Sequence, residues 1–264
     1  LGVGGLVLVD PDALADTNLN RWLAAAPSQI GQAKAKLLRR RLQKQTPWVD
    51  VRAVAADALA PRVLRHLLDC DVLIAAVDND AARLWANRLA LQYLLPLFDV
   101  GVMVQTQPVV DFAYRIVPVV PGVTACLECS GLAMLNGLEI AKSLDGATRA
   151  VRPQAGYVEG QDVAAPSVMG INSVAAGSLC LEVLSYLCGY QQRPAVKIAR
   201  WRTARTTVVQ PTEHLPGAHC VACADLRGRG SEAPLPRRLT LEQAQAEFAR
   251  LRRELVAKDR QPAA

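Results

Sequence analysis

The sequence predicts an α/β fold, a doubly wound, mostly parallel sheet with an antiparallel extension. Three observations carry that prediction. Two unbroken apolar runs, Leu6-Val7-Leu8-Val9 and Val72-Leu73-Ile74-Ala75-Ala76-Val77, each stop at an acidic loop, as strands buried on both faces of a parallel sheet do. Amphipathic helical stretches alternate with the strands. After Gly101 the rhythm changes to two adjacent β-rich runs, Val102–Val110 and Phe112–Val119, which read as a hairpin or strand pair.

Each element follows in order. The first strand ends at Asp10-Pro11-Asp12. Residues 31–45 open with Gly31 and place Ala33, Leu37, Leu38 and Leu42 at helical spacing, with the charges on the other face. Val49–Val54 reads as the next strand and Pro61–Leu68 as a short helix. Val72–Val77 is expected to be fully buried and to end at Asp78-Asn79-Asp80. A helix over 80–94 follows, with Asp80 as its N-cap, then a short strand, Leu97–Val100. Pro121-Gly122 turns the chain toward Cys126. Residues 142–165, polar and rich in Gly, Pro and Gln, read as a crossing loop. Ile171–Leu187 is a long apolar helix whose Ala175, Ala176 and Gly177 suit tight packing. Residues 225–237 read as a linker. A final amphipathic helix starts at Thr240, where Gln243 completes a capping box, and buries Leu241, Phe248, Leu251 and Leu255.

The 264 residues, 51% of them hydrophobic, allow one large domain or two small ones with a sizeable core. No run of eighteen apolar residues is free of charge and Pro, so no membrane span is expected. The formal charge of +6 lies largely in Lys34–Lys44 and after Asp225. Such charges on helices form a solvated face, so nucleic acid is not an expected partner. Of the seven cysteines, four fall in two Cys-x-x-Cys pairs, Cys126/Cys129 and Cys220/Cys223. Each two-residue spacer lets one tight turn aim both sulfurs at one tetrahedral ion, the pattern of a structural zinc site. This usage fits a reducing cytoplasm better than a disulfide framework. Cys70, Cys180 and Cys188 lie in apolar surroundings and are expected to be buried small hydrophobes.

Open α/β sheets of the Rossmann-like kind bind ligands at the carboxyl ends of their strands. Asp10/Asp12 and Asp78/Asn79/Asp80 occupy such ends. An acidic residue there accepts hydrogen bonds from ribose hydroxyls, and a second carboxylate nearby suits Mg²⁺ shared with phosphate. The plainer roles, turn former and helix cap, suffice for Asp12 and Asp80. Between the two clusters lie Asn18-Leu19-Asn20-Arg21 and then Lys34, near the start of a helix. Arg21 and Lys34 could neutralise phosphate charge while Asp78 holds a metal. Phosphoryl chemistry needs such a set, because its catalysis is mostly positioning and charge stabilisation.

Five stretches, in order and at approximately the family's spacing, resemble the ubiquitin-activating-enzyme-like adenylyltransferases (ThiF, MoeB and HesA relatives). They are Leu8-Val9-Asp10-Pro11-Asp12 with Asn18-Leu19-Asn20-Arg21, then Gly31-Gln32-Ala33-Lys34, Val77-Asp78-Asn79, the paired cysteine clamp, and Pro166-Ser167-Val168-Met169-Gly170. The resemblance covers residues 1–224, leaving 225–264 as a basic linker and terminal helix. It implies ATP- and Mg²⁺-dependent adenylation of the C-terminal carboxylate of a ubiquitin-like or sulfur-carrier protein. By that resemblance Asp10 binds the ATP ribose, Arg21 and Lys34 contact the phosphates with Asn18 in support, and Asp78 binds Mg²⁺. The four cysteines hold a zinc ion with no catalytic part, and the protein is a homodimer.

Three departures accompany the likeness. The family's opening strand, Gly-x-Gly-x-x-Gly loop and first helix are not in the sequence, nor is the N-terminal Arg donated across a dimer interface; a fragment of a longer protein is expected. Residues 130–179 hold no cysteine, so adenylation without a thioester on this chain is expected, the acyl group passing to an external acceptor. Trp22 stands where relatives often carry a polar residue. Two other readings account for fewer residues. A nicotinamide or flavin oxidoreductase would use Asp10 on a ribose but gives Arg21, Lys34 and Asp78 no shared task. A non-catalytic scaffold would suit the missing loop and thiol but not the retained polar set.

Overall fold

The structure is a computed structural model and describes residues 3–22, 25–78, 80–105, 111–129, 168–190, 194–202, 205–209, 220 and 222–232. Strands β1 (Gly5–Val9) and β2 (Asp50–Val54) pair in parallel, from Gly5↔Asp50 to Val9↔Val54. A parallel pair needs a crossover, and helix α1 (Lys34–Gln45) supplies it, burying Ala35 and Leu37. Helix α2 (Pro61–Leu68) starts on a proline, whose missing N–H costs nothing in a first turn, and buries Val63.

A second sheet runs in the order β3 (Leu73–Ala75), β4 (Leu97–Gln105), β5 (Asp111–Val119), β6 (Lys197–Arg202), β7 (Arg205–Val209). The β3–β4 pair is parallel and every later pair antiparallel. The expected fold class therefore holds, antiparallel extension included. Helix α3 (Asp80–Tyr93) crosses between β3 and β4. It builds the main core with Leu84, Trp85, Leu89 and Leu91 packed among Leu97, Val117, Val119 and Leu127.

The structure corrects several expectations. The runs on either side of Gly101 form one strand, β4, because this glycine continues the ladder opposite Arg115. The apolar runs of β1 and β3 are not fully buried: Leu6 is 38% and Ile74 54% exposed. Among the described residues β1 pairs only with β2, and β3 only with β4.

Helix α4 (Met169–Leu187) turns Ile171, Ala175, Leu179 and Glu182 inward, with Phe98 and Tyr186 in edge contact. Ala175 is buried, whereas Ala176, Gly177, Cys180 and Cys188 lie on exposed surface and Cys70 is half-buried. The predicted burial fails for Cys180, which lies on an exposed part of α4, and for Cys188, which caps the exposed C-terminal end of that helix. By length and composition alone, α4 is apolar enough to cross a membrane. Its buried Glu182 nevertheless pairs with Lys197 of β6, and Ser178 Oγ lies 3.0 Å from Tyr114 Oη on β5.

The expected linker begins as packed chain: Gly228 N–H donates to Leu91 O at 3.0 Å, and Gln92 Nε2 to Gly230 O at 2.6 Å. Asn79, the crossing loop at 142–165, Pro166-Ser167 and the helix from Thr240 lie outside the described residues.

Candidate functional site

Asp10 follows the last residue of β1 and Asp78 lies three residues past β3, so both stand at the carboxyl ends of parallel strands. Asp10 Oδ1 accepts the Asp12 N–H at 2.9 Å, an Asx turn that closes the strand. Burial raises the Asp10 pKa above its ordinary value, opposed by the Asp12 N–H and by Lys34, and reinforced by the negative charges of Asp12 and Asp78. Residues from two loops and the start of α1 therefore share one electrostatic neighbourhood.

The sequence places Lys34 there through a local fold. Gly31 adopts φ +85°, a left-handed conformation that glycine takes without a steric penalty. The chain can then double back: Gly31 N–H donates to Leu14 O, Leu14 N–H to Gln32 O, and Lys34 N–H to Asp12 O at 3.0 Å. Lys34 thus opens α1 beside the acidic loop, and its Nζ lies 2.8 Å from Asp12 Oδ2. Asp12, read from sequence as a turn former only, is the direct partner of that ammonium. Lys36 is exposed on α1.

Asn18 and Arg21 do not join this cluster through any described contact. Asn18 Oδ1 accepts the Ala15 N–H at 3.1 Å and shapes a short 3-10 turn, Asp16–Asn18. Arg21 Nη1 donates to Thr17 O at 2.8 Å and lies 3.4 Å from Asn20 Oδ1.

A charged cluster that sequence reasoning missed lies behind Asp78. Arg83 of α3 donates from Nη1 to Asp99 Oδ1 and, at 2.9 Å, to Val100 O, and from Nη2 to Val77 O. Arg115 Nη2 sits 3.6 Å from Asp99 Oδ2. All three side chains are buried. The signal was present in the sequence: Asp99 and Arg115 interrupt apolar strands, and a buried charge requires a partner.

The cysteine centre assembles as the spacing predicts. The sulfurs of Cys126, Cys129, Cys220 and Cys223 all lie within 4.8 Å of one another. Cys126 Sγ is 3.6 Å from Cys220 Sγ, close to the ~3.8 Å that tetrahedral bonds of about 2.3 Å to zinc impose. Hydrogen bonding to Cys129, then to Cys220 and Cys223, and then burial hold the Cys126 thiol far above its ordinary pKa. A divalent cation would displace those crowded protons. The donor set thus fits zinc, and four thiolates leave no open position for water.

The centre is braced by α3. Asn87 Oδ1 accepts the Leu127 N–H at 2.9 Å, and Arg88 Nε and Nη2 meet the Glu128 carboxylate at 2.9 and 3.3 Å. Leu127 and Glu128 are the spacer of the first cysteine pair.

Comparison with known proteins agrees with this architecture. The sequence model of the ThiF family matches residues 1–220. The SUMO-activating enzyme subunit 2 of Dictyostelium discoideum is 25% identical over 134 residues, 50% of this chain and 19% of that protein. The sulfur carrier protein ThiS adenylyltransferase of Bacillus subtilis is 29% identical over 130 residues, 48% of this chain and 37% of that protein. The chain thus spans well under half the length of these relatives. Among solved structures, E. coli MccB with ATP superposes with a TM-score of 0.62 at 18% identity, over 84% of this chain and 60% of that one. That likeness is one of fold.

Proposed function

Because this chain belongs to the ThiF family, we propose that it works as an ATP- and Mg²⁺-dependent adenylyltransferase on the C-terminal carboxylate of a ubiquitin-like or sulfur-carrier protein. The observation that carries the proposal is the convergence of Asp10, Asp12, Lys34 and Asp78 at two parallel strand ends. In its ionised form Asp10 accepts hydrogen bonds from the ribose hydroxyls. Lys34 is half-buried but its partner Asp12 is exposed, so the pair is screened and costs little to break, and the ammonium can turn to a phosphate. Arg21 and Asn18, one loop away, take further phosphate contacts.

Asp78 and the neighbouring carboxylates offer the hard oxygen ligands that Mg²⁺ prefers. Magnesium held there would neutralise charge developing on the phosphate oxygens. The carrier's carboxylate attacks the α-phosphorus in line, pyrophosphate leaves, and an acyl-adenylate is formed. The protein's part is positioning and charge stabilisation.

Residues 130–179 contain no cysteine, so the acyl group passes to an external sulfur, amine or partner thiol. The exposure of Cys180 and Cys188 removes the burial argument against them, yet no described contact links either one to the acidic strand ends. We further place the protein in the cytoplasm, as a homodimer, with zinc as a structural ion. The reducing compartment keeps the thiolates available.

ATP–pyrophosphate exchange with Mg²⁺ and a ubiquitin-like protein ending in Gly-Gly tests the proposal. Exchange that is lost in Asp78→Ala supports it. ATP binding without exchange favours a non-catalytic scaffold. No ATP binding at all would refute the adenylation reading.

A further inference from the structure

The buried cluster behind the acidic strand ends has no task in the reaction described so far. Arg83 joins three groups on two strands: the Val77 carbonyl after β3, and the Asp99 carboxylate and Val100 carbonyl on β4. Val77 is the residue immediately before Asp78. A guanidinium is planar and presents its donors in a rigid fork, so these bonds fix the direction in which the chain leaves β3. Asp99 is fully buried and is shared with Arg115 of β5, 3.6 Å away. Gly101 completes the arrangement. A Cβ there would stand 3.3 Å from Arg115 Nε and 3.4 Å from Arg83 Nη2, so the missing side chain gives the two guanidiniums their room.

Stability alone is a poor reason for this construction. Buried ion clusters are often matched or bettered by apolar residues of similar volume. What the cluster supplies is a fixed direction. We propose that Arg83 is a positioning residue: by clamping the Val77 carbonyl to Asp99 and Val100, it sets where the exposed Asp78 carboxylate meets a Mg²⁺–nucleotide. The inference rests on the nucleotide-site reading above. Magnesium tolerates little error, because its octahedral bonds of about 2.0–2.1 Å are near-ideal. A ribose held at Asp10 does not depend on this clamp. Loss of Arg83 should therefore weaken the metal's share of binding and spare the rest.

The test is calorimetric ATP binding by the intact protein across a Mg²⁺ titration and without Mg²⁺. The variants are Arg83→Gln, Arg83→Lys, Gly101→Ala and Asp78→Asn. Arg83→Gln should raise the Mg²⁺ midpoint about tenfold while metal-free ATP affinity stays within about twofold, as loss of an outer-shell support does. Arg83→Lys keeps the charge but not the fork and should behave likewise. Gly101→Ala should shift the midpoint the same way by less. If neither Arg83 variant folds, Gly101→Ala decides by the same two measures. ATP affinity that falls equally with and without Mg²⁺ would mean a role in folding alone and overturns the inference. An unchanged midpoint in Arg83→Gln, with Mg²⁺ dependence lost in Asp78→Asn, overturns it while leaving the site reading intact. Mg²⁺ dependence preserved in Asp78→Asn overturns both.

Discussion

Truncating Asn87 should cost the protein its hold on the thiolate cluster. Asn87 is fully buried on α3, with its Oδ1 2.9 Å from the Leu127 N–H and its Nδ2 3.4 Å from Glu128 Oε1. Asn87→Ala takes an acceptor from the N–H of a fully buried residue, a loss of about 1–3 kcal/mol. The longer contact to Glu128 matters less, because Arg88 also holds that carboxylate at 2.9 Å. Together with the space left by the amide, the change should cost about 3 kcal/mol, a large share of the ~5–15 kcal/mol that keeps a domain folded. Because both partners lie between Cys126 and Cys129, zinc affinity should also fall, about tenfold.

Urea unfolding with zinc and with a chelator gives the first quantity, and competition with a chromophoric chelator gives the second. Leu84→Ala is the control. Leu84 is buried on the same helix and has no bond to the spacer among the described residues, so it should cost about 2–5 kcal/mol and leave zinc affinity alone. If Asn87→Ala destabilises the protein but leaves zinc affinity as Leu84→Ala does, α3 does not hold the thiolate turn.

Three further outcomes are expected. The raised pKa of Asp10 means the folded chain holds that proton more tightly than the unfolded one. Its contribution to stability is present below the unfolded pKa of 3.8 and lost as pH rises through the folded value. Nucleotide binding needs the ionised form, so affinity measured against pH should fall on acidification through that range, and Asp10→Asn should flatten the profile. Gly31→Ala should cost about 1–2 kcal/mol through the left-handed backbone alone, since a Cβ there meets nothing within 4 Å; thermal unfolding checks it, and a neutral result would refute the turn argument. Lys34→Ala should change stability by less than about 1 kcal/mol yet weaken ATP binding about tenfold or more through the missing charge-assisted bond. Lys36→Ala should leave both unchanged, and equal losses at the two positions would dissolve the site.

Much of this architecture was legible because the signals are local. Apolar runs ending in Asp, helical spacing after Gly31, and two-residue spacers between cysteines each report a geometry set within a few residues. The partner of Lys34 was not legible, because it depends on a positive φ at Gly31 bringing Asp12 and Lys34 together. The burial of β1 and β3 was overestimated for a related reason. An apolar run states that a strand can be covered, not what covers it, and Leu6 and Ile74 stay exposed. Cys180 of α4 misled in the same way, since a helix apolar on most faces gives no sign of which face meets the sheet. Asp99 and Arg115 could have been suspected as partners, being charges inside apolar strands. Arg83 could not, because an arginine in the first turn of a helix is ordinarily solvated.

Helix α3 draws these local features into one mechanical unit. Its 14 residues span about 21 Å at the α-helical rise. The N-terminal end lies two residues past Asp78, and Arg83 binds the first turn to β4. Asn87 and Arg88 grip the spacer of the cysteine pair one turn later, and Gln92 holds the chain beyond the second pair at Gly230. Breaking any of these bonds costs part of the desolvation of its buried partners, so α3 is tied to β4, to the cysteine spacer and to the chain at Gly230. The thiolate centre and the acidic strand end are therefore attached to one helix, the first at its middle and the second at its start. A zinc ion held by the four thiolates would therefore steady the same helix that carries Arg83, the residue on which the placement of Asp78 is proposed to depend.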